Sequence, residues 1–246
     1  MYPRGNRPAG AARLLLAAAL ASLGGCGATT TVAISRPSDA LVGELRRAVL
    51  GGGACTREEW REPGPLTAEV FLGRPDGSLI FFAQVPDYFC RSSNTAVPVL
   101  VEPEGKWRWG EPLAGMFTRV LAAADGTLVA ATQWQIEGTY PALLTSRDGL
   151  TWIELELPED RATRAPDETA EICLGEWLEV RLRSEIEGKA ELWTRALGDA
   201  DWKRLDEPGC AAAAGQPGGW SRTETTGETR FERGLRAVVV PRTLSP

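Results

Sequence analysis

The sequence predicts an all-β fold, a β-propeller-like domain of about four or five four-stranded blades of about fifty residues each, preceded by one short helix. Three observations predict it: Asp-Gly turns between apolar runs, equivalent segments about fifty residues apart, and a tryptophan near the end of each unit. The 246 residues are 43% hydrophobic and 24% charged, which suits one or two globular domains and excludes a disordered chain. We assign residues 38–246 to this domain.

Glycine marks the turns of the predicted hairpins. Asp76-Gly77 and Asp125-Gly126 each separate two apolar runs, and this dipeptide favours a hairpin because its glycine accepts a positive φ. Gly175 takes the equivalent place in a third unit. The three hairpins cover residues 66–85, 117–133 and 170–184.

Equivalent residues recur at a nearly constant interval. Leu79, Leu128 and Leu178 mark the second strand of their units and follow one another at intervals of 49 and 50 residues. A third strand, a turn and a tryptophan complete each unit, which is the pattern of a propeller blade. The third strands cover residues 96–102, 141–146 and 190–196, and the tryptophans are Trp109, Trp152 and Trp202.

Both ends of the chain are expected to contribute to the domain. Trp60 lies 49 residues before Trp109 and extends the series toward the amino terminus. Residues 221–244 contain an apolar run that we expect to pair with the N-terminal part of the chain and so close the ring, which would remove exposed strand edges. A helix is predicted over residues 39–50, with Ser38 as its N-cap, because the apolar positions share one helical face.

The first 25 residues are organised as an export signal. Three arginines precede an apolar run of about a dozen residues, which is too short to cross a bilayer comfortably. The run ends in Leu23-Gly24-Gly25-Cys26, which resembles the lipobox of bacterial lipoproteins. The resemblance implies that the Cys26 thiol is acylated, that residues 1–25 are removed, and that the new amino terminus is acylated too. The alternative is an ordinary cleaved signal followed by a structural cysteine.

The lipoprotein interpretation places the protein in a bacterial cell envelope. Residues 26–37 are small and polar and would form a lipidated tether to the domain. Cleavage removes three of the 27 basic residues, so 24 remain against 33 acidic ones, a net charge of −9. That acidity argues against a nucleic-acid partner and against electrostatic docking to anionic lipid, which leaves the covalent lipid as the link to the membrane. Glycine rather than aspartate at position 27 favours the outer over the inner membrane, with the domain facing the periplasm or the exterior.

The cysteines agree with export. Cys55, Cys90, Cys173 and Cys210 form an even set after Cys26, and an oxidising compartment permits disulfides. Three pairings are possible; we favour Cys55–Cys90 with Cys173–Cys210, because each pair brackets one apolar segment. Spacings of 35, 83 and 37 residues lack the close ligand pairs of a zinc site, and the chain contains no histidine. We expect neither a metal nor a cofactor.

One segment carries a recognisable motif. Ser146, Asp148, Gly149, Thr151 and Trp152 lie in TSRDGLTW, which resembles the Asp-box, or BNR repeat, of sialidase-like propellers. The stretch between the aspartate and the tryptophan is one residue shorter than usual. The resemblance implies a structural turn between the third and fourth strands of a blade, in which the aspartate accepts hydrogen bonds from turn amides and the tryptophan packs between blades.

The function is predicted less specifically than the fold. Trp134 and Tyr140 are candidate ligand-binding residues because aromatic side chains provide platforms for sugars or peptides. Trp107, Trp177 and Trp193 are further candidates of the same kind. We predict a non-catalytic envelope lipoprotein whose propeller scaffold binds a protein or glycan partner.

The alternative is a carbohydrate-active hydrolase of sialidase-like type. The resemblance would then require an arginine triad and a tyrosine–glutamate pair. Glu137 and Tyr140, three residues apart, are the candidates for the pair. Paired carboxylates are frequent in the chain, but in an acidic protein they are mostly solvated surface groups.

Overall fold

A computed structural model describes residues 30–34, 67–85, 95–135, 139–161, 167–184, 186–210 and 218–242. The export signal, Cys26, the helix predicted over residues 39–50, and Trp60 lie outside these residues. Nowhere in the described ranges is there a helix with the length and apolar character needed to cross a membrane.

Seventeen strands form the described part of the chain, and the predicted all-β class is confirmed. In chain order they are β1 (Thr30–Ala33), β2 (Thr67–Gly73), β3 (Leu79–Val85), β4 (Thr95–Val101), β5 (Trp107–Trp109), β6 (Leu113–Ala114), β7 (Met116–Ala122), β8 (Leu128–Gln135), β9 (Thr139–Ser146), β10 (Ile153–Leu155), β11 (Glu168–Leu174), β12 (Leu178–Ser184), β13 (Ala190–Arg195), β14 (Lys203–Leu205), β15 (Ser221–Glu224), β16 (Glu228–Arg233) and β17 (Arg236–Pro241).

The strands form four sheets. Sheet I has the order β2-β3-β4-β5, sheet II the order β7-β8-β9-β10 and sheet III the order β11-β12-β13-β14, all antiparallel, and β6 pairs with β4. A fourth sheet, the terminal sheet, has the order β1-β17-β16-β15, with β1 parallel to β17. The three predicted units therefore correspond to sheets I, II and III, and both ends of the described chain join in the fourth.

The predicted Asp-Gly turns are confirmed in sheets I and II. Gly77 and Gly126 have φ values of 92° and 85°. The Asp76 carboxylate accepts hydrogen bonds from the amide and hydroxyl of Ser78 at 2.9 and 2.7 Å, and Asp125 accepts the same pair from Thr127 at 2.9 and 3.0 Å. The aspartate thus holds the turn that the glycine makes possible.

The turn of sheet III is built differently. Gly175 lies between β11 and β12, as predicted, but it is not among the glycines with positive φ. Its amide instead donates to the carbonyl of Trp177 at 3.1 Å, which closes a tight connection between Leu174 and Leu178.

Alternation along the strands builds three hydrophobic cores in series. On β3, Leu79, Phe81 and Ala83 face the terminal sheet, while Ile80 and Phe82 face sheet II. Since successive side chains point to opposite faces, this all-apolar strand buries sheet I on both sides. The third core lies between sheets II and III. It contains apolar residues of β8 and the apolar face of β12, namely Val129, Ala131, Leu178, Val180 and Leu182.

Two ends of the molecule are distinguished by their connections. The turn end carries the turns that join the first strand to the second, and the third to the fourth, in sheets I to III; Gly149 of sheet II meets Ile80 of sheet I there. The loop end, opposite, carries the connections β8–β9 and β12–β13.

The terminal sheet docks on the turn end of sheet I through Arg236. Its guanidinium donates to the carbonyls of Gly77 and Glu102 at 2.8 and 3.1 Å and lies 5.3 Å from the ring centroid of Trp220. Because Arg236 begins β17, the β16–β17 turn lies at the turn end.

This placement reverses the terminal sheet relative to the repeats. In sheets I to III the second strand runs away from the turn end, whereas β16 runs toward it. The terminal sheet is therefore not a fourth copy of the repeat. No hydrophobic cluster among the described residues joins it to sheet III, so the expected closure of the ring gains no support from this structure.

Residues 30–34 differ from the expected tether. Thr30–Ala33 form β1, and Val32 and Ile34 pack in the core between the terminal sheet and sheet I. The β-branched threonines and valine favour an extended strand, and alternation brings the apolar residues onto one face. The part of the predicted tether that precedes the folded domain thus shortens to residues 26–29.

Candidate functional site

The segment with the Asp-box resemblance forms a closed turn between β9 and β10. The Asp148 carboxylate accepts hydrogen bonds from the Leu150 and Thr151 amides at 2.9 and 2.8 Å and from the Ser146 hydroxyl at 3.1 Å. The Ser146 oxygen in turn accepts the Gly149 amide at 2.8 Å. This arrangement uses the aspartate to hold the backbone, which is a structural role.

The electrostatics of Asp148 fit that role. Partial burial raises the pKa of its carboxyl, but the hydrogen bonds from Thr151, Leu150 and Ser146 outweigh burial and hold the pKa below its ordinary value of 3.8. The group is therefore a carboxylate at neutral pH. A lowered pKa is unsuited to a general acid, which needs a proton near the operating pH.

Gly149 and Trp152 join the turn to sheet I. Gly149 has a φ of 80°, and a Cβ at this position would lie 2.7 Å from the Cδ1 of Ile80. The Trp152 indole donates to the Gly149 carbonyl at 3.2 Å, and its ring lies 5.2 Å from that of Phe82 and 6.2 Å from that of Phe117. The turn is thus fixed by the packing between two sheets.

The tryptophans of the series pack in three successive cores, but their places are not all equivalent. Trp152 and Trp202 directly precede Ile153 and Lys203, which puts them opposite the last residues of β9 and β13. In sheet I that place belongs to Trp107, which pairs with Val101 at the end of β4. Trp109, the predicted member, lies two residues farther along β5 and pairs with Val99. Trp109 packs in the core between the terminal sheet and sheet I, Trp152 in the core between sheets I and II, and Trp202 in the core between sheets II and III. Each belongs to the fourth strand of its sheet or directly precedes it and packs toward the preceding sheet. The Trp202 indole also donates to the Glu156 carbonyl at 2.9 Å.

A cleft of about 460 Å³ lies beside the Asp-box turn, between sheets II and III. Its lining includes Asp125 and Thr127 of one turn, Arg147 and Asp148 of the next, and Gly198 of sheet III. The two aspartates already accept hydrogen bonds from their own turns, so this cleft offers few uncommitted polar groups.

A second cleft, of about 590 Å³, is acidic. Arg195 and Trp202 form one wall, with the guanidinium 5.2 Å from the indole centroid. The acidic residues that line it are Glu154, Glu156, Glu159, Asp160 and Asp201. No group of three or more carboxylate or cysteine side chains among the described residues is arranged to hold a metal ion.

The aromatic candidates lie elsewhere. Trp134 is the next-to-last residue of β8, at the loop end. In the strand register it pairs with Tyr140 of β9. Glu137, the possible partner of Tyr140 in a hydrolase, lies in the segment 136–138, outside the described residues. The structure therefore brings Trp134 and Tyr140 together at one end of the molecule and leaves the Asp-box turn at the other.

The further tryptophan candidates separate into packing and exposed residues. Trp193 is 6% exposed in the core between sheets II and III, so it is not available as a platform. Trp107 packs against the first core, with its ring 6.0 Å from that of Trp109. Trp177 is 45% exposed in the β11–β12 turn.

Three buried carboxylates were not predicted from the sequence, namely Glu168, Glu179 and Glu191. Glu191 is 5% exposed, accepts a hydrogen bond from the Trp193 indole at 3.3 Å and lies 3.5 Å from the Arg204 guanidinium. Strand alternation could have indicated the contact of Glu191, because Glu191 and Trp193 are two residues apart on β13 and therefore share a face. With both partners in place, Glu191 joins β13 to β14.

A disulfide joins Cys173 to Cys210, as the favoured pairing requires. It ties β11 to the segment that follows β14. Cys55 and Cys90, like the candidate lipid attachment residue Cys26, lie outside the described residues, so the second disulfide stays a prediction.

Comparison with known proteins gives similarity to solved structures but to no family. No family model matches the chain, and no curated protein matches it. Among solved structures, the chain is similar to a Hadza microbial sialidase, Hz136, with 15% sequence identity and a TM-score of 0.39. The similarity covers 56% of this chain and 32% of that sialidase.

Proposed function

We propose that this chain is a lipid-anchored protein of the bacterial envelope whose propeller-like repeats present a non-catalytic binding surface to a protein or glycan partner. The lipid is attached at Cys26, in the sequence context of a lipobox. The partner contacts the loop end, and the outer membrane is the expected site of anchoring.

The observation that carries the binding proposal is the register of the β8–β9 hairpin. Trp134 and Tyr140 are directly paired, next to the connection between the two strands. The register places the two residues at directly opposite positions of neighbouring strands, at the loop end. Aromatic residues supply large contact areas with little loss of side-chain entropy, as glycan and peptide sites require.

The Asp-box turn supports a scaffold function. Its carboxylate is occupied by turn amides, and its tryptophan is 8% exposed between two sheets. The carboxylate is committed to the turn itself, and the tryptophan is committed to the packing of sheet II on sheet I. Fold alone does not imply the activity of other proteins with similar sheets, so the function rests on the site rather than on the architecture.

Ligand binding is tested by screening the purified full chain in detergent against a glycan array and against labelled envelope peptides. We expect Trp134→Ala and Tyr140→Ala to weaken binding of any hit by about tenfold or more, which corresponds to 1.4 kcal/mol. Trp177→Ala is the matched control, because this tryptophan is exposed at the opposite end. Equal losses in all three variants would contradict the proposed position of the site.

Two further measurements separate the scaffold from a hydrolase and from a different site. A fluorogenic glycoside panel is expected to show no turnover above a buffer control; hydrolysis would refute the non-catalytic function. Asp201→Ala in the acidic cleft is expected to leave binding unchanged. A loss there, with Trp134→Ala silent, would move the site to that cleft.

Anchoring is tested independently. Cys26→Ser is expected to shift the protein from the membrane fraction to the soluble fraction, because each buried methylene of the acyl chains contributes about 0.8 kcal/mol. Continued sedimentation of the variant with membranes would contradict lipid attachment.

A further inference from the structure

The point at which the chain enters the fold limits how far the domain can lie from its anchor. β1 begins at Thr30, whose amide donates to the Leu235 carbonyl at 2.8 Å, so the chain enters at the turn end. Cys26 is four residues earlier. Four residues span at most about 14 Å even when fully extended.

We propose that the turn end of this protein lies against the bilayer surface, with the β16–β17 turn at Leu235 in contact with the lipid interface. The inference rests on the proposed lipid at Cys26. It adds an orientation: the short tether keeps β1 near the membrane and directs the loop end away from it.

The exposed apolar side chains support this orientation. Four large hydrophobic residues are exposed among the described residues. Leu235 is 58% exposed, Ile153 is 69% exposed at the start of β10, and Trp177 is 45% exposed, and all three lie at the turn end. Ile186, in the β12–β13 connection at the loop end, is 81% exposed. Leucine and tryptophan are residues that insert into the interfacial layer of a bilayer.

The turn end carries charges of both signs. At Asp76, burial is the largest single influence and raises the pKa, but hydrogen bonds from Ser78 outweigh it, and at Asp125 hydrogen bonds from Thr127 lower the pKa, so both groups are carboxylates. The guanidinium groups of Arg74 and Arg233 lie near Asp76, and Arg147 lies near Asp125. A face of mixed charge does not depend on anionic headgroups, so the apolar side chains carry the contact and a zwitterionic surface suits it.

The orientation gives the binding end access to partners. The eight residues of β8 run from the turn end to the loop end. At about 3.3 Å per residue, Trp134 then stands roughly 20 Å farther from the bilayer than Leu128, the first residue of β8. A partner in the surrounding compartment reaches the Trp134–Tyr140 pair without approaching the membrane.

Fluorescence quenching at two opposite turns tests the proposal. Leu235→Cys and Thr226→Cys place a thiol at the turn end and, in the exposed β15–β16 turn, at the other end. Each lipidated full-length variant is labelled with an environment-sensitive dye and reconstituted into phosphatidylcholine vesicles that carry nitroxide-labelled lipid. The parent chain, treated identically, gives the background from native cysteines.

We expect the label at position 235 to lose about half of its emission and to shift to the blue, while the label at 226 loses less than about a tenth, since an interfacial side chain enters the bilayer by about 5–10 Å. Equal quenching at both positions in vesicle-bound protein would overturn the orientation alone. Protein that does not float with the vesicles would overturn the lipid anchor and this inference with it.

The tether length gives a second readout. An insertion of about ten glycine and serine residues after Gly27 lets the domain move away, because a flexible linker of that length has an end-to-end distance of about 18 Å. We expect flotation to be unchanged and quenching at 235 to fall at least twofold. Unchanged quenching would show that the short tether does not set the orientation.

Discussion

The contact between Gly149 and Ile80 tests how sheet II packs on sheet I. Gly149→Ala has two costs: an L-residue at a φ of 80°, and a Cβ only 2.7 Å from the Ile80 Cδ1. Gly126→Ala is the matched control, because its φ is 85° and nothing lies within 4 Å of the added Cβ.

The two costs differ in size and source. A left-handed backbone costs an L-residue about 1–2 kcal/mol, which applies to both variants. Overpacking adds about 1–3 kcal/mol, which applies to Gly149 alone. We therefore expect Gly126→Ala to lower the free energy of unfolding by about 1–2 kcal/mol and Gly149→Ala by about 2–5 kcal/mol.

A double-mutant cycle identifies the partner. Ile80→Val removes the Cδ1 atom that the new Cβ would meet and alone costs about 1 kcal/mol. Combined with Gly149→Ala it should cost nothing further or restore stability, an interaction energy of about 1 kcal/mol or more. Urea unfolding followed by tryptophan fluorescence measures all four chains. Equal costs at Gly149 and Gly126, or strict additivity with Ile80→Val, would refute the packing described here.

Two further predictions concern the Asp-box and the disulfide. Asp148→Asn should lower the free energy of unfolding at pH 7 by about 1 kcal/mol, since the amide oxygen accepts the same hydrogen bonds more weakly. Because the folded pKa of Asp148 lies below 3.8, the stabilisation by the carboxylate is present above that pH and is lost as the pH falls through the folded pKa. Urea unfolding at decreasing pH should therefore give converging stabilities for the two chains, and a constant difference would contradict this. Reduction of Cys173–Cys210, or the double substitution Cys173→Ser with Cys210→Ser, should lower the free energy of unfolding by about 3–4 kcal/mol, because the bond closes a loop with a separation of 37 residues. Unfolding with and without reductant measures this difference. An unchanged midpoint would contradict a stabilising role of the bond.

The repeats were predictable from the sequence because their signals are local. Leu79, Leu128 and Leu178 begin β3, β8 and β12 and are fully buried, as alternation and spacing indicate. The Asp-Gly turns followed from the need for a positive φ. A strand next to a turn is specified by residues that are adjacent in the chain.

The terminal sheet could not be predicted in the same way. The apolar run of β17 indicates a strand, but its partner β1 lies some 200 residues away, and neither its identity nor its parallel direction is encoded locally. Residues 30–34 are short and flanked by small polar residues, so a tether was the simpler interpretation. Packing of Val32 and Ile34 against sheet I decides the outcome.

In the candidate site, too, local contacts could be predicted from the sequence, and contacts between sheets could not. The hydrogen bonds of Asp148 follow from the motif, whereas the acidic cleft combines residues of sheets II and III and needs the tertiary structure. Trp193 is a platform candidate by residue type, but it is buried in the core between sheets II and III. Alternation along β13 places Trp193 on the same face as the charged residues Glu191 and Arg195, so its burial depends on the packing of the sheets and could not be predicted from the strand alone.

The anchor at Cys26 is tested most directly by the mass of the N-terminal peptide from protein isolated in the membrane fraction. The account predicts a peptide that begins at Cys26 and carries a diacylglyceryl thioether and an amide-linked acyl chain. A peptide with an unmodified Cys26, or one that begins elsewhere, would contradict the anchored scaffold.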